Sequence, residues 1–225
     1  MRILHLDDDR LQLDLVRAWL EPAGHTVTSC STGKDALKSV ERETFDMAVL
    51  DWMVPDVSGE EVLRWIRARH RAMPVIFATS NDGEPEVAHI LSIGADDYLV
   101  KPLRRLEFLA RVGALARRAA ADLVDEAIEE PPYALDLRRR TVHLAGREVE
   151  VSPRMFDLAV LLFRRRGELV SRAHIYEHVW GRREDVQTRT VDTHVSRLRG
   201  ALELDGRHGW RLASVYQLGY RLEPA

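Results

Sequence analysis

Six polar residues in the N-terminal half have types and positions that suit phosphoryl chemistry. Each lies just after a short apolar run, and the set is Asp7, Asp8, Asp9, Asp51, Thr79 and Lys101. Carboxylates that meet at one place repel one another unless a cation lies among them, and oxygen ligands suit Mg²⁺. The metal would make Asp51 a usable nucleophile. A transferred phosphoryl group also needs a cation and a hydroxyl donor nearby, which Lys101 and Thr79 can supply.

The lysine content of the chain supports a special role for Lys101. Only Lys34, Lys38 and Lys101 are lysine, while the other thirty basic residues are arginine. A lysine ammonium is a compact point charge that can meet a phosphoryl oxygen. One lysine could fall at this position by chance, and single aspartates after strands are often turn formers. The joint arrangement favours a functional pocket.

The apolar runs themselves predict the elements that hold these residues. Five β-rich runs alternate with helical patterns, and they cover residues 3–6, 26–30, 47–50, 75–78 and 98–100. Strands that alternate with helices predict a doubly wound parallel sheet covered on both faces. Ligands of such sheets collect at the carboxyl ends of the strands, where the polar residues lie.

The helical patterns predict which faces pack against the sheet. In the first helix the stripe of Leu11, Leu15, Ala18 and Trp19 is expected to be buried. Three later helices carry apolar residues at three- and four-residue spacing: Val62, Leu63 and Ile66; Val87, Ile90 and Leu91; and Phe108, Leu109, Val112 and Leu115.

Four segments of this half resemble the receiver domain of two-component response regulators. They cover residues 3–9, 49–59, 77–80 and 94–102, and the resemblance extends over 1–118. It implies a flavodoxin-like fold of five parallel strands, in which Asp51 accepts a phosphoryl group from a phosphohistidine of a sensor histidine kinase.

The same resemblance assigns roles within the pocket. Asp8 and Asp51 would bind Mg²⁺ directly together with the Met53 carbonyl, and Asp7 would bind it through water. Thr79 and Tyr98 match the pair that rearranges on phosphorylation, with the aromatic ring turning inward. The peptide bond before Pro102 is expected to be cis.

The C-terminal half has a different pattern. Short strands at 133–136, 141–144 and 148–151 precede three helices, which begin near Ser152, Ser171 and Thr188. A final pair of strands, 211–215 and 220–222, is joined through Gly219. This order predicts an α+β winged helix-turn-helix domain.

Segments 151–153, 179–181, 189–199 and 219–222 resemble the winged-helix effector domain of the OmpR/PhoB subfamily. The third helix has a buried stripe of Val191, Val195, Leu198 and Leu202, which leaves a basic face for a DNA major groove. The candidate DNA-binding residues are Arg189, Thr193, His194, Ser196, Arg197, Arg199 and Tyr216. Among them, Thr193 and Arg197 are the candidates for base contacts, and Arg189, His194 and Arg199 for phosphate contacts. Two alternatives remain open: Arg199 could pair with Asp192, and His194 could be a packed ring.

Two departures from the subfamily's pattern concern partner surfaces. The wing has Tyr216 and Gln217 where arginine and glycine are usual, so insertion of an arginine into the minor groove is not expected. Val87 replaces a basic residue of the usual dimer face, although Asp97, Glu107 and Arg111 fit. A homodimer through helix 4, strand 5 and helix 5 is therefore expected. The loop 181–188 matches one that can touch RNA polymerase.

Charge is distributed unevenly along the chain. The formal net charge of −3 is the sum of −3 for residues 1–118, −5 for an acidic linker at 119–132 and +5 for 133–225. The basic surplus lies where DNA binding is predicted. A single cysteine, Cys30, cannot form an internal disulfide, no apolar run approaches the roughly 20 residues of a membrane helix, and the N-terminus lacks signal-peptide features. A cytoplasmic location is expected.

These observations predict a DNA-binding transcription regulator rather than an enzyme. A sensor kinase would phosphorylate Asp51, and phosphorylation would favour dimers that bind direct repeats in promoter DNA. One alternative is a metal-dependent phosphohydrolase with Asp51 as nucleophile, but such enzymes commonly have a second aspartate where this chain has Met53. The other is a DNA-binding regulator that acts independently of phosphorylation.

Overall fold

The computed structural model describes residues 1–70, 73–81, 83–121, 127–181 and 188–225. The chain forms two compact units, and each is described by itself.

The first unit is a parallel sheet with helices on both faces. Its strands are β1 (Arg2–Leu6), β2 (Thr26–Cys30), β3 (Met47–Leu50), β4 (Val75–Thr79) and β5 (Asp97–Val100). Its helices are α1 (Arg10–Leu20), α2 (Gly33–Arg42), α3 (Gly59–Arg69), α4 (Glu84–Ser92) and α5 (Arg105–Ala121). The strand order is β2-β1-β3-β4-β5, with every pairing parallel. The prediction of a doubly wound five-stranded sheet is confirmed.

Two apolar clusters cover the faces of this sheet. One contains Val62, Ile66 and Ile90 from α3 and α4, and the other contains Val16 and Phe108 from α1 and α5. Because nearly every residue of the central strands β1, β3 and β4 is buried, these strands read as continuous apolar runs rather than as alternating ones.

The predicted buried stripe of α1 is wrong except at Trp19, which packs against Phe108. Leu11 and Leu15 are 77% and 39% exposed, whereas Leu13, Val16 and Leu20 are buried. Apolar residues surround much of this helix, so two stripes at helical spacing compete in the sequence. Packing against the sheet selects the second stripe and leaves two leucines at the surface.

Within its described residues, the second unit contains two antiparallel sheets and three helices. The first sheet has β6 (Ala127–Glu130), β7 (Tyr133–Asp136), β8 (Thr141–Leu144) and β9 (Arg147–Val149). The helices are α6 (Pro153–Arg164), α7 (Arg172–Trp180) and α8 (Thr188–Ala201). The second sheet pairs β10 (Val170–Ser171) and β11 (Trp210–Val215) with β12 (Gly219–Pro224), and β11 and β12 form the wing hairpin. The winged-helix prediction is confirmed.

Two short strands are not evident in the sequence. Strand β6 falls within the predicted linker, where it pairs with β7 and buries Ile128 opposite Leu135. Strand β10 is only two residues long and pairs with the start of β12. A Cβ atom on Gly219 would collide with the Val170 carbonyl, so a glycine is required for this close approach.

Candidate functional site

Two buried aspartates at the carboxyl ends of β1 and β3 form the centre of the candidate phosphorylation site. The backbone N–H of Asp7 donates to the Cys30 carbonyl at 3.1 Å, and that of Asp51 donates to the Leu6 carbonyl at 2.8 Å. Sheet hydrogen bonds therefore fix both residues. Asp7 and Asp51 are 1% and 6% exposed, whereas Asp8 is exposed.

Lys101 connects these two carboxylates. Its Nζ lies 2.6 Å from Asp51 Oδ2 and 2.7 Å from Asp7 Oδ2. Burial lowers the pKa of Lys101, but its hydrogen bonds to Asp51 and Asp7 outweigh burial and raise the pKa above its usual value. Burial raises the pKa of Asp7, although Lys101 opposes that shift. The ammonium thus stays charged in the pocket.

The donor set fits a divalent cation. Asp7, Asp8 and Asp51 each offer one carboxylate oxygen, and these oxygens lie within 4.8 Å of one another. One ammonium leaves the three carboxylates with two uncompensated negative charges. An oxygen-rich cluster of this charge suits Mg²⁺, and the bound ion would neutralise carboxylate and phosphoryl oxygens.

The chain around Asp51 is held close to the start of α3. Met53 N–H points to Asp51 Oδ1 at 3.4 Å, and the Met53 side chain is 74% exposed. Gly59 N–H donates to the Trp52 carbonyl at 3.0 Å, and a Cβ atom on Gly59 would collide with the Asp51 carbonyl. Ser58 and Glu61 form a capping box that starts α3 at this point. The loop is therefore fixed at both ends.

Thr79 and Tyr98 lie on neighbouring strands. Thr79 is 2% exposed, its carbonyl accepts from the Lys101 backbone N–H at 2.9 Å, and its Oγ1 lies 3.5 Å from the Asn81 nitrogen. The Tyr98 ring is buried beside Ile90, and its hydroxyl donates to the Asn81 carbonyl. The ring thus occupies an inward position. The Lys101–Pro102 peptide bond is cis, as expected.

An aromatic contact that the sequence did not reveal connects the Asp51 loop to α4. The Trp52 ring stacks on His89 with centroids 6.2 Å apart, and His89 Nε2 lies 3.1 Å from Glu60 Oε1. Hydrogen bonds from Arg64 and His89 lower the pKa of Glu60. Local sequence periodicity does not predict this contact, because Trp52 and His89 are 37 positions apart and lie on separate elements.

The expected dimer face carries the charged residues named from the sequence. Arg111 NH1 lies 3.0 Å from Asp97 Oδ1, and Arg111 NH2 lies 2.9 Å from Glu107 Oε1. Leu91 on α4 is 42% exposed, and Val87 is half-buried. An apolar residue of α4 and a charged network of β5 and α5 are therefore available to a partner.

In the second unit, α8 presents the predicted DNA-binding face. Arg189, Thr193, Ser196 and Arg197 are exposed, and the predicted stripe of Val191, Val195, Leu198 and Leu202 is buried. Thr193 Oγ1 donates to the Arg189 carbonyl at 2.8 Å.

The other two DNA-binding candidates of α8, His194 and Arg199, contact other elements of the second unit. His194 meets the Trp180 ring edge-on, with centroids 4.9 Å apart, so it is a packed ring. Arg199 does not pair with Asp192: its Nε donates to the Leu212 carbonyl at 2.9 Å, and its NH2 donates to Ser214 Oγ at 3.2 Å.

The wing lies within the described residues, whereas most of the predicted polymerase loop does not. Tyr216, at the turn between β11 and β12, is 85% exposed. The predicted polymerase-contacting residues 182–187 lie outside the described residues. Among the described helices, none has the length and apolar character needed to cross a membrane.

Comparisons with known proteins match both units. Residues 3–113 match the response regulator receiver domain, and residues 146–222 match the transcriptional regulatory protein C-terminal domain. The chain is 35% identical over 225 residues to the sensory transduction protein RegX3 of Mycolicibacterium smegmatis, covering 98% of each chain. It is 35% identical over 224 residues to the phosphate regulon transcriptional regulatory protein PhoB of Rhizobium meliloti, covering 99% of this chain and 98% of the relative.

A solved structure agrees with the first unit. The signal receiver domain of a putative Luxo repressor protein from Vibrio parahaemolyticus aligns with a TM-score of 0.53 and 30% identity, covering 55% of this chain and 96% of that domain. The fold, the two matched domains and the full-length relatives lead to one conclusion. The chain belongs to the two-component response regulators of the OmpR/PhoB type, which are DNA-binding transcription regulators.

Proposed function

We propose that Asp51 is the phosphoryl acceptor of this regulator and that its phosphorylation controls dimer formation and DNA binding. The observation that carries the proposal is the buried arrangement of Asp51, Asp7 and Lys101, in which one ammonium lies within 2.7 Å of both carboxylates. The stability of the fold does not require two buried carboxylates with a third carboxylate beside them. A site that binds Mg²⁺ and a phosphoryl group accounts for all three.

In the proposed reaction, a carboxylate oxygen of Asp51 attacks the phosphorus of a phosphohistidine on a sensor kinase. The new P–O bond forms as the P–N bond breaks, and the imidazole leaves with the bonding electron pair. Lys101 neutralises charge on the phosphoryl oxygens, and Thr79 supplies a hydroxyl donor. Asp7, Asp8, Asp51 and the Met53 carbonyl would hold the Mg²⁺.

In the proposed switch, phosphorylation of Asp51 disrupts the direct contact between the Lys101 ammonium and the Asp51 carboxylate. A phosphoryl group on Asp51 offers oxygens that compete for the ammonium and for the Thr79 hydroxyl. Movement of Thr79 changes the space around Asn81, whose carbonyl accepts the Tyr98 hydroxyl. We propose that α4, β5 and α5 then form a symmetric dimer face.

Exposed leucines near the pocket support a docking surface for the kinase. Leu11 lies two residues after Asp9 at the start of α1 and is 77% exposed, and Leu106 lies five residues after Lys101 at the start of α5 and is 84% exposed. Both helices begin just after strands whose carboxyl ends hold pocket residues, so these exposed apolar side chains are placed to contact a kinase that delivers the phosphoryl group.

For DNA, we propose that α8 enters the major groove of promoter DNA. Arg197 and Thr193 contact bases, while Arg189 and Ser196 lie beside the backbone. His194 and Arg199 also remain proposed phosphate contacts, although each already has a partner within the fold. Tyr216 is proposed to contact DNA from the tip of the wing.

Several wider assignments belong to the same proposal. Dimers would bind direct repeats, because two weak modules joined together gain avidity. RNA polymerase is a proposed partner through the loop 181–188.

We propose 1–118 as the receiver domain, 119–132 as the linker and 133–225 as the DNA-binding domain. The protein would act in the cytoplasm, where DNA and the kinase phosphohistidine meet. Because the PhoB relative is a transcriptional regulatory protein and position 53 is methionine, no enzymatic turnover of outside substrates is proposed.

The test uses acetyl phosphate as the phosphoryl donor, with Mg²⁺ and the full-length protein. Intact mass spectrometry should find one added phosphoryl group on the wild type and none on Asp51→Ala. The control Asp14→Ala, which changes an exposed aspartate of α1, should be labelled like the wild type. Labelling that survives Asp51→Ala would remove Asp51 as the acceptor.

A further inference from the structure

Asp192 is an acidic residue at the edge of the face of α8 that is expected to meet DNA. Arg189 and Ser196 lie three residues before it and four residues after it, so all three lie on one side of the helix. A carboxylate in this position opposes DNA phosphates. It needs an explanation other than electrostatic attraction.

One oxygen of Asp192 accepts two hydrogen bonds from other elements. Arg172 Nε at the start of α7 donates to Oδ1 at 2.9 Å, and the Tyr220 hydroxyl of β12 donates to the same atom at 2.5 Å. The Arg172 guanidinium also lies 4.9 Å from the centre of the Tyr220 ring. Three elements therefore meet at a single carboxylate oxygen.

Tyr220 is a firm anchor for this contact. Its side chain is 4% exposed, and its backbone pairs with Val170 of β10 on one side and Ser214 of β11 on the other. Arg172 is only 22% exposed at its side chain. The partners of Asp192 are thus fixed by the sheet and by packing, while Asp192 itself lies on the helix that must be oriented.

A second contact holds α8 to the same place on the wing hairpin. Arg199, two turns after Asp192, donates to Ser214 Oγ, and Ser214 is the cross-strand partner of Tyr220. The two contacts are about 10 Å apart along the helix axis and end on one pair of facing residues. Two such points on one side of the helix restrain both its rotation about its own axis and its tilt against the wing hairpin.

We propose that Asp192 is a positioning residue for DNA recognition, which sets the rotation of α8 against the wing hairpin through Tyr220 and Arg172. In this proposal Asp192 acts through its contacts with Arg172 and Tyr220 rather than through a contact with a base. Rotation of a recognition helix moves every base-contacting side chain at once. Loss of Asp192 therefore weakens discrimination at all positions that α8 reads, rather than at one.

Electrostatics and positioning predict opposite results for Asp192→Ala. Removing a negative charge from a DNA-facing helix strengthens binding to any duplex. Releasing the helix weakens binding to the correct sequence only. The ratio of specific to non-specific affinity separates the two effects, and a change that only destabilised the fold would lower both affinities together.

The test compares two duplexes at one salt concentration, using the full-length protein after treatment with acetyl phosphate. The first duplex is the sequence that the wild type selects from a random library, and the second is a shuffled duplex of equal composition. Asp192→Ala is expected to weaken binding to the first about tenfold and to leave the second unchanged or bound more tightly. Tyr220→Phe, which removes one hydroxyl, should lower the ratio in the same direction by a smaller factor.

Two further variants complete the design. Asp192→Asn keeps an oxygen that can accept from Tyr220 and should recover part of the ratio. Asp157→Ala removes a carboxylate of α6 that pairs with Arg140 at 2.7 Å, and it should leave the ratio unchanged. Two results would overturn the proposal: tighter binding of Asp192→Ala to both duplexes at an unchanged ratio, or a loss of preference confined to one base pair with Tyr220→Phe unaffected.

Discussion

The Lys101 ammonium lies 2.6 Å from Asp51 Oδ2 and 2.7 Å from Asp7 Oδ2, so a single cation bridges the two buried carboxylates. The cation that a phosphoryl group on Asp51 would need thus already lies beside this carboxylate. The bridging position also explains why lysine rather than arginine is suited here, since a compact ammonium can contact both oxygens at once.

Lys101→Met should therefore slow phosphorylation by acetyl phosphate by about 100-fold, because a charge-stabilising donor is lost from the reacting centre. The rate is measured by intact mass spectrometry at saturating Mg²⁺. Lys34→Met, which changes an exposed lysine of α2, is the matched control and should react like the wild type. Equal rates for the two variants would mean that Lys101 does not act on the phosphoryl group.

His5 on β1 makes the stability of the first unit sensitive to acid. Burial, helped by the nearby Lys101 and Arg17, lowers the pKa of His5 from 6.5 to about 3. Below pH 6.5 the unfolded chain binds a proton that the folded chain does not bind until about pH 3. Stability therefore falls as the pH falls through this window, and the contribution of His5 reaches about 1 kcal/mol at pH 5.5.

His5→Leu should reduce this acid sensitivity. Hydrogen exchange of β1 and β3 peptides, measured in EDTA at pH 7 and pH 5.5, reports the opening free energy. The wild type should lose about 1 kcal/mol more than His5→Leu between the two values. An identical pH dependence for both proteins would contradict the lowered pKa.

The sequence allowed good prediction where one residue pattern has one structural solution. Continuous apolar runs such as 47–50 have to be buried strands, and parallel topology brings Asp7 and Asp51 to one edge. In α8 the stripe through Val191 and Leu198 has no apolar competitor, so its buried face was predictable. In α1 two stripes compete, and only packing against the sheet selects Leu13 over Leu11.

The remaining features depend on contacts between distant residues. Nothing in the local pattern at Arg199 selects the Leu212 carbonyl over Asp192 as its partner. The two residues of β10 are too short for any periodicity, and β6 has only one buried apolar side chain, Ile128, in an acidic segment. Such elements form because a neighbouring strand offers hydrogen bonds, which a local pattern does not encode.

Exposed leucines on α1 and α4 should have separable roles. Leu11→Asp is expected to slow phosphoryl transfer from the sensor kinase at least tenfold while acetyl phosphate labels the variant normally, because a charge disrupts the proposed docking surface. Leu91→Asp should accept the phosphoryl group from the kinase normally but dimerise poorly after labelling, as measured by analytical ultracentrifugation.

Each leucine variant is the control for the other. Kinase transfer impaired equally in both would contradict a docking surface on α1. Normal dimerisation of phosphorylated Leu91→Asp would remove Leu91 from the dimer face.

Two arginines of α8 should differ in what their loss affects. Arg197 is exposed, so Arg197→Ala should lower specific DNA affinity by about 1–3 kcal/mol without changing the thermal stability. Arg199 donates to the Leu212 carbonyl and Ser214, so Arg199→Ala should destabilise the second unit by about 1–3 kcal/mol. Fluorescence anisotropy with the selected duplex and differential scanning calorimetry measure the two effects. Unchanged DNA affinity in Arg197→Ala would exclude it from the interface.

The central claim is that phosphorylation of Asp51 controls binding to promoter DNA. The most direct measurement is the affinity of the full-length protein for its selected duplex, with and without acetyl phosphate and Mg²⁺, for the wild type and Asp51→Ala. The account predicts that acetyl phosphate tightens wild-type binding at least tenfold and leaves Asp51→Ala unchanged. Equal affinity of the wild type in both conditions, or equal tightening in Asp51→Ala, would contradict it.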